Sequence, residues 1–254
     1  MKFYKIIGII SIVVFSFYLT DFVTELAINS NPLMQTIKNS STNYDIESVD
    51  AIIEENTIIP GIKGKKVSIM ESFLNMKDFG TFNTNYLIYD DIKPNISISD
   101  NKDKIIISGN KKKRNISILI NNNKNIEEYL DKNNLKYTKL IKYLDNIYKD
   151  NVNIENDKKK FKDLDTLLNK KELNNKVCIL DYSNIEMCKK NKYYIVKPNI
   201  ILKNNNIVGI LNDINNGSIV YIDNNLNLNN FILFMNKIKN RDLKIVYLSE
   251  IIKE

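Results

Sequence analysis

The stretch GSIVYID at residues 217–223 decides how this sequence is read. It opens on a glycine, runs through Ile219, Val220, Tyr221 and Ile222 as a short apolar strand, and stops at Asp223 before a polar turn. Residues 228–240 follow with apolar side chains at helical spacing, and LKIVYL at 243–248 repeats the strand signal. Strand, helix and strand in that order make a crossover unit, which needs parallel strands. The same alternation extends upstream. Strands are predicted at 116–120, 177–180, 193–196 and 218–222. Helices are predicted at 126–133, 184–190, 207–214 and from 249 onward. Residues 158–173 form an amphipathic helix with Phe161, Leu164, Leu167 and Leu168 as its stripe, while 137–144 fits strand or helix. The class is α/β, with parallel strands in a barrel or an open sheet.

Ahead of this body, residues 49–110 read as a small β-rich module. IIPG at 58–61 ends a strand in a turn, and residues 72–80 suit a short helix with Phe73 and Met76 on one face and Gly80 as its cap. Strands are expected at 86–94 and 104–109. Residues 25–48, with Pro32 and a Ser/Thr/Asn cluster, read as a linker.

Residues 3–23, FYKIIGIISIVVFSFYLTDFV, are almost wholly apolar and just reach the length of a spanning helix. Lys2 and Lys5 precede the run, and Asp21 and Glu25 close it. The positive-inside rule then leaves the N-terminus in the cytoplasm and exports the body. A cleaved signal peptide is the competing reading, but residues 26–28 make a poor small-residue cleavage site, so residues 1–24 are read as an uncleaved signal anchor. The expected location is the cell membrane, single-pass, with an extracytoplasmic body.

The sequence holds no histidine. Ser–His–Asp and Cys–His catalysis, His-ligated zinc and the H-E-x-x-H site are therefore excluded. The net charge of +7 comes from lysine, since arginine occurs only at Arg114 and Arg241. Such charge favours anionic partners but lacks the bidentate fork that nucleic-acid readers use, so no nucleic-acid partner is expected. The two cysteines, Cys178 and Cys188, fit no metal-binding spacing. They are read as two small buried hydrophobes, with pairing the alternative in an exported body.

Three stretches resemble the NodB-type polysaccharide deacetylases. GSIVYID (217–223) resembles the family's late G-x-I-x-L-x-H strand. RDLKIVYLSEII (241–252) is similar to its closing strand and helix, and NISILINN (115–122) to its first barrel strand, which normally ends T-F-D-D. IIPG (58–61) and ISGN (107–110) also look like the segment before this domain in membrane-anchored members from low-GC Gram-positive bacteria. The resemblance implies an incomplete or distorted (β/α) barrel over residues 111–254. It also implies metal-assisted hydrolysis of an N-acetyl group. This chain departs from it where the chemistry would sit. Asn121 and Asn122 stand where the family carries an Asp pair as base and ligand. Asp223 stands at its late histidine, and its two metal-binding histidines have no counterpart. No metal and no cofactor are expected.

Other motifs have bland readings. Ser99-Asp100-Asn101 matches an S-D-N element, and Ser99 to Lys102 spells S-x-x-K, but no K-T-G follows. Asp90, Asp91, Asp100 and Asp103 fit no calcium loop and read as solvated turns. Lys111 to Arg114 could grip phosphates of a wall polymer but reads first as a solvated turn. Tyr193 and Tyr194 could stack on sugar, though strand spacing puts one of them in the core. The leading expectation is a catalytically inactive deacetylase-family protein of the cell envelope that faces cell-wall glycan, an anionic wall polymer or a protein. The alternatives are an active N-deacetylase with a carboxylate site at Asp181 and Asp223, and a structural adaptor of an envelope complex.

Overall fold

The structure, a computed structural model, describes residues 2–143 and 148–254. In chain order the elements begin with α1 (Lys2–Ser30), α2 (Pro32–Ser41), β1 (Ile52–Glu54), β2 (Thr57–Ile59), β3 (Gly64–Val67), α3 (Ile69–Met76), β4 (Tyr89–Ile92) and β5 (Ile105–Ile106). Next come β6 (Asn115–Ile120), α4 (Lys124–Lys132), β7 (Thr138–Ile141), β8 (Asn151–Asn153), α5 (Lys158–Lys170), β9 (Val177–Ile179) and α6 (Ile185–Lys190). The rest are β10 (Tyr194–Val196), β11 (Ile200–Leu202), α7 (Ile207–Ile210), β12 (Ile219–Ile222), α8 (Leu228–Asn240), β13 (Lys244–Val246) and α9 (Leu248–Ile251). These fall into two compact units. The first takes the chain up to Ser48 together with Lys63–Ile92, and the second takes Val49–Ile62 with Lys93–Glu254.

In the first unit, the Ile10–Ser30 part of α1 is long and apolar enough to cross a membrane, and none of its most apolar window is buried by protein. Asn31 separates α1 from α2 and caps the latter, its side chain accepting the Leu33 N–H at 2.9 Å with Pro32 in the first turn. The linker expected over 25–48 is thus helical through residue 41. The polar composition hid Leu33, Met34 and Ile37, which fall on one helix face and pack with Val67, Phe73, Met76 and Leu87. β3 and β4 pair antiparallel, setting Lys65 opposite Asp91 and Lys66 opposite Asp90.

The second unit carries two sheets. One has six strands, ordered β11-β12-β6-β7-β8 with β13 also on β6, and every pairing in it is parallel. The other has five, ordered β1-β2-β5-β10-β9, with only β1 and β2 antiparallel. The two sheets do not join into one closed hydrogen-bonded ring among the described residues, so the barrel is incomplete. Side chains alternate faces along each strand. Leu119, Ile219 and Tyr221 turn to an inner cluster with Leu140, Val152, Ile179 and Val196. Ile116, Ile118, Ile120, Val220 and Ile222 turn outward onto α4 and α8, through Ile126, Leu130, Phe231 and Phe234.

The chain also fills this interior from its own C-terminal segment. Leu248, Ile251 and Ile252 are buried in the inner cluster, and Glu254 Oε1 accepts the Ile98 N–H at 2.8 Å. β13 pairs with Asn115–Ser117 of β6, while β7 pairs with Leu119 and Ile120. Where β13 gives way to α9, the Leu248 N–H donates to Thr138 Oγ1 at 2.8 Å, and that hydroxyl donates to Asp150 Oδ2 at 2.5 Å. At the opposite end of β12, Gly217 has φ +82, and a Cβ there would run into the Gly109 carbonyl. Its own carbonyl accepts the Gly109 N–H at 2.7 Å. That close approach is why the 217–223 motif must open on glycine.

Several expectations need revision. Residues 49–62 and 93–110 lie in the same compact unit as 111–254, since β2 and β5 extend the sheet of β10 and β9. The expected boundary at residue 110 is therefore not where the units divide. The helix expected at 207–214 stops at Ile210, and β8 and β11 were not anticipated. The 137–144 segment is a strand over Thr138–Ile141, with Leu144 outside the described residues. Cys178 and Cys188 are buried, as expected of small hydrophobes, but they are bonded to each other, Cα to Cα 6.3 Å, across β9 and α6. Strand and helix hold the two thiols face to face, which the sequence spacing could not show.

Candidate functional site

In parallel α/β folds the strand carboxyl ends are where chemistry collects. Here β6 ends in Asn121, Asn122 and Asn123. Asn123 is structural. Its Oδ1 caps α4 through the Ile126 N–H, and its Nδ2 donates to the Leu226 carbonyl at 2.9 Å and the Asn224 carbonyl at 3.2 Å. This side chain ties the turn after β6 to the turn after β12. Asn121 and Asn122, with Asn224, Lys139, Leu140, Ile141, Lys142 and Tyr143, line a cleft of about 270 Å³.

Asp223 follows β12 and is half-buried. Its Oδ1 accepts the Asn225 N–H at 3.0 Å, so the carboxylate is engaged in its own turn. Asp181 is exposed, with φ +70, just past β9. Between these acidic residues stands a pair that sequence reasoning did not single out. Tyr182 and Tyr221 lie ring against ring, tilted by 39° with centroids 4.8 Å apart. Their hydroxyls interact with each other, and the Asn121 side chain interacts with the Tyr221 hydroxyl. Burial pushes both phenols above the ordinary tyrosine range. The charges of Asp223 and, for Tyr182, Asp181 push in the same direction. Both tyrosines therefore stay neutral at physiological pH. Period-two alternation was the available signal, because it puts Tyr221 on the same inward face as Ile219.

Behind the cleft, Lys139 pairs with Glu127 at almost full burial, and its ammonium lies 5.3 Å from the centroid of the Tyr148 ring. Glu127 Oε1 also accepts the Asn123 N–H at 3.1 Å. The positive charge is thereby neutralised in place.

The donor set does not fit a divalent cation of the kind the resemblance implies. Asn121 and Asn122 offer neutral amides, and Asp223 is the one carboxylate among the three positions. Among the described residues no three His, Cys, Asp or Glu side chains converge. No hydrolytic step can be drawn through a metal here.

The other sequence candidates resolve as local structure. Ser97, Ser99 and Asp100 bond one another, and Lys93 Nζ reaches Asp100 at 2.7 Å, holding that carboxyl below its usual range. Lys102 lies over the Tyr194 ring at 5.2 Å rather than beside Ser99 as a base. Asp91 pairs with Lys63 at 3.0 Å in the first unit, while Asp100 and Asp103 belong to the second. Lys111 and Lys112 are exposed, Lys113 donates to the Lys253 carbonyl at 2.7 Å, and Arg114 pairs with Asp242. Tyr193 is the core member of its pair. Burial and Asp165, which accepts its hydroxyl at 2.7 Å, push it up to about 12.

The interrupted parallel barrel, with its strand-end turns, defines an α/β scaffold of the NodB type. Known structures share it. The chain superposes on a CE4 family pseudoenzyme from Bacillus anthracis with a TM-score of 0.55 and 16% identity, over 87% of this chain and 95% of that one. A mutant described as a CE4 family pseudoenzyme with restored enzymatic activity gives a TM-score of 0.56 at 15% identity, over 87% and 98%. At these identities the likeness is one of fold. By sequence, the chain is 31% identical over 102 residues to the uncharacterized protein YlxY of Bacillus subtilis (strain 168), covering 40% of this chain. The match spans about a third (32%) of that curated relative's length. No family model matches the sequence.

Proposed function

We propose that this chain is a membrane-anchored, extracytoplasmic protein on a polysaccharide deacetylase scaffold that binds a cell-envelope partner, foremost a glycan, without deacetylating it. The observation that carries the reading is the strand-end site. Asn121 and Asn122 replace the residues that would bind metal and accept a proton, and the neutral Tyr182–Tyr221 pair occupies the ground beside them. The amide and phenol groups left there can bond sugar hydroxyls but cannot activate water. Export is supported by the Cys178–Cys188 bond, since such bonds persist outside the reducing cytosol. It is also supported by the apolar Ile10–Ser30 helix. The anchor is assigned to residues 1–24, with the body beyond it.

The test is acetate release by the full chain in detergent, on N-acetylated chitooligosaccharide and on peptidoglycan, with zinc, cobalt or nickel supplied. The expected result is none above buffer. Release that a chelator abolishes would overturn the reading.

One observation favours a second reading. Asp181 and Asp223 both act electrostatically on the Tyr182 hydroxyl, so two carboxylates flank one phenol. An active hydrolase built on them would release acetate and lose it in Asp223→Ala.

A further inference from the structure

The first unit leaves an apolar face uncovered. Met70 and Leu74 stand one turn apart on α3, exposed, while Phe73 and Met76 of the same helix face its core. Just beyond the helix, Phe79 and Tyr86 stack with centroids 5.2 Å apart, and Phe79 keeps 62% of its surface exposed. Asn75 Nδ2 donates to the Tyr86 carbonyl at 3.0 Å, fastening the aromatic pair to α3. Scattered exposed apolar residues are ordinary, but four neighbouring ones of this size call for an occupant.

Continuity with α1 says which occupant. Ile28, near the end of α1, packs on the same core as Phe73 and Met76, and Asn31 alone separates α1 from α2. A bilayer has a hydrocarbon core of about 30 Å flanked by headgroup layers of about 5–7 Å each. If the span is residues 3–23, Ile28 lies about 7 Å beyond it at the helical rise per residue. If the span is Ile10–Ser30, Ile28 lies within it. Either count keeps Ile28, and with it the core of the first unit on which α3 packs, within about 8 Å of the hydrocarbon boundary. The flanking side chains Glu71, Lys77 and Asp78 are exposed and of mixed sign, so the face offers apolar area rather than net charge.

We propose that Met70, Leu74, Phe79 and Tyr86 seat in the interfacial layer of the bilayer that α1 enters. This inference rests on the reading of α1 as a membrane anchor. Apolar and aromatic side chains at that depth bury their rings while keeping polar groups hydrated. The seat holds the first unit against the surface by two points, the spanning helix and this face. Because it is apolar, it works equally on zwitterionic and anionic lipid.

The chain contains no tryptophan, so one substitution introduces the sole indole. Phe79→Trp and Leu74→Trp, both at exposed positions, and Phe17→Trp in α1 are placed in the full chain. Each is reconstituted in phosphatidylcholine vesicles with and without lipids brominated on the acyl chain. All three are expected to lose emission about two-fold with brominated lipid and to resist aqueous acrylamide, as interfacial and buried indoles do. Quenching at Phe17→Trp alone, with the other two open to acrylamide, would overturn the seat and leave the anchor standing. Protection from acrylamide without lipid quenching would overturn it in favour of a second copy of the chain on the same face. No quenching at Phe17→Trp would remove the anchor and this inference with it.

Discussion

Two polar sites in the second unit use opposite chemistry. At the strand ends, Asn121 and the Tyr182–Tyr221 pair meet as neutral groups, and the Asp223 carboxylate bonds its own turn. At the join of β7, β8 and α9, Asp150 sits in the core with 4% of its surface exposed, and burial raises its carboxyl above the usual range. Thr138 bonds it at 2.5 Å, Asn175 reaches its other oxygen at 3.4 Å, and Ser249 lies close enough to favour its charged form. A carboxylate is thus retained where it gathers donors from three parts of the chain. It is absent at Asn121 and Asn122, where the family resemblance expects an Asp pair. The contrast separates holding a fold from running a reaction, and it can be broken from either side.

The largest expected effect is Asp150→Ala. It strands the Thr138 hydroxyl and its neighbours without an acceptor, and the expected loss is about 2–4 kcal/mol in urea unfolding. A loss under 0.5 kcal/mol (about that of a surface change) would mean the network holds nothing. Asp150→Asn keeps an acceptor and removes the charge. With a raised native pKa, the folded wild type binds more protons than the unfolded chain from about pH 4 up to that pKa. Wild-type stability therefore falls as pH rises through this window, by at most about 1.4 kcal/mol per unit. Asp150→Asn should flatten that slope. Parallel slopes from pH 4.5 to 7 would remove the assigned cause.

Smaller effects belong to the strand ends. Tyr221→Phe deletes the hydroxyl that interacts with Tyr182 and Asn121, with an expected cost of about 0.5–1.5 kcal/mol. Asn121→Asp should change stability by less than about 1 kcal/mol, since the site is half-exposed. It should also take up no zinc in calorimetry, because the new carboxylate and Asp223 together fall short of a tetrahedral ligand set. Micromolar zinc binding by that variant would erase the distinction between the two sites.

Much of this was legible in advance, for identifiable reasons. The short apolar run Ile116–Ile120 suits a buried strand and forms one, and α8 spans the same residues, Leu228–Asn240, as its apolar spacing predicts. Continuous apolar runs and helical periodicity are local properties, and local properties survive reading one residue at a time. What escaped was set by partners far along the chain. β8 reads Asn-Val-Asn, with one apolar residue, and is a strand because β7 pairs with it. α2 was masked by asparagine and serine, although Pro32 and the Leu33, Met34, Ile37 face were present. At the site, the resemblance led to the strand ends carrying Asn121, Asn122 and Asp223, yet not to Tyr182, whose role depends on a neighbour 39 residues later, Tyr221.

The inner cluster takes Leu248, Ile251 and Ile252 from the C-terminal segment and Ala51 and Ile58 from far upstream. A ribosome delivers these pieces in order, at about 5–20 residues per second. Until residue 252 has emerged, the inward face of β6 has no lining on that side, and Thr138 lacks the Leu248 amide that bonds it. The second unit therefore cannot finish closing before residue 252 is available to it. A chain halted before Leu248 would carry an open, greasy hollow in place of an interior, a ready mark for chaperone or protease.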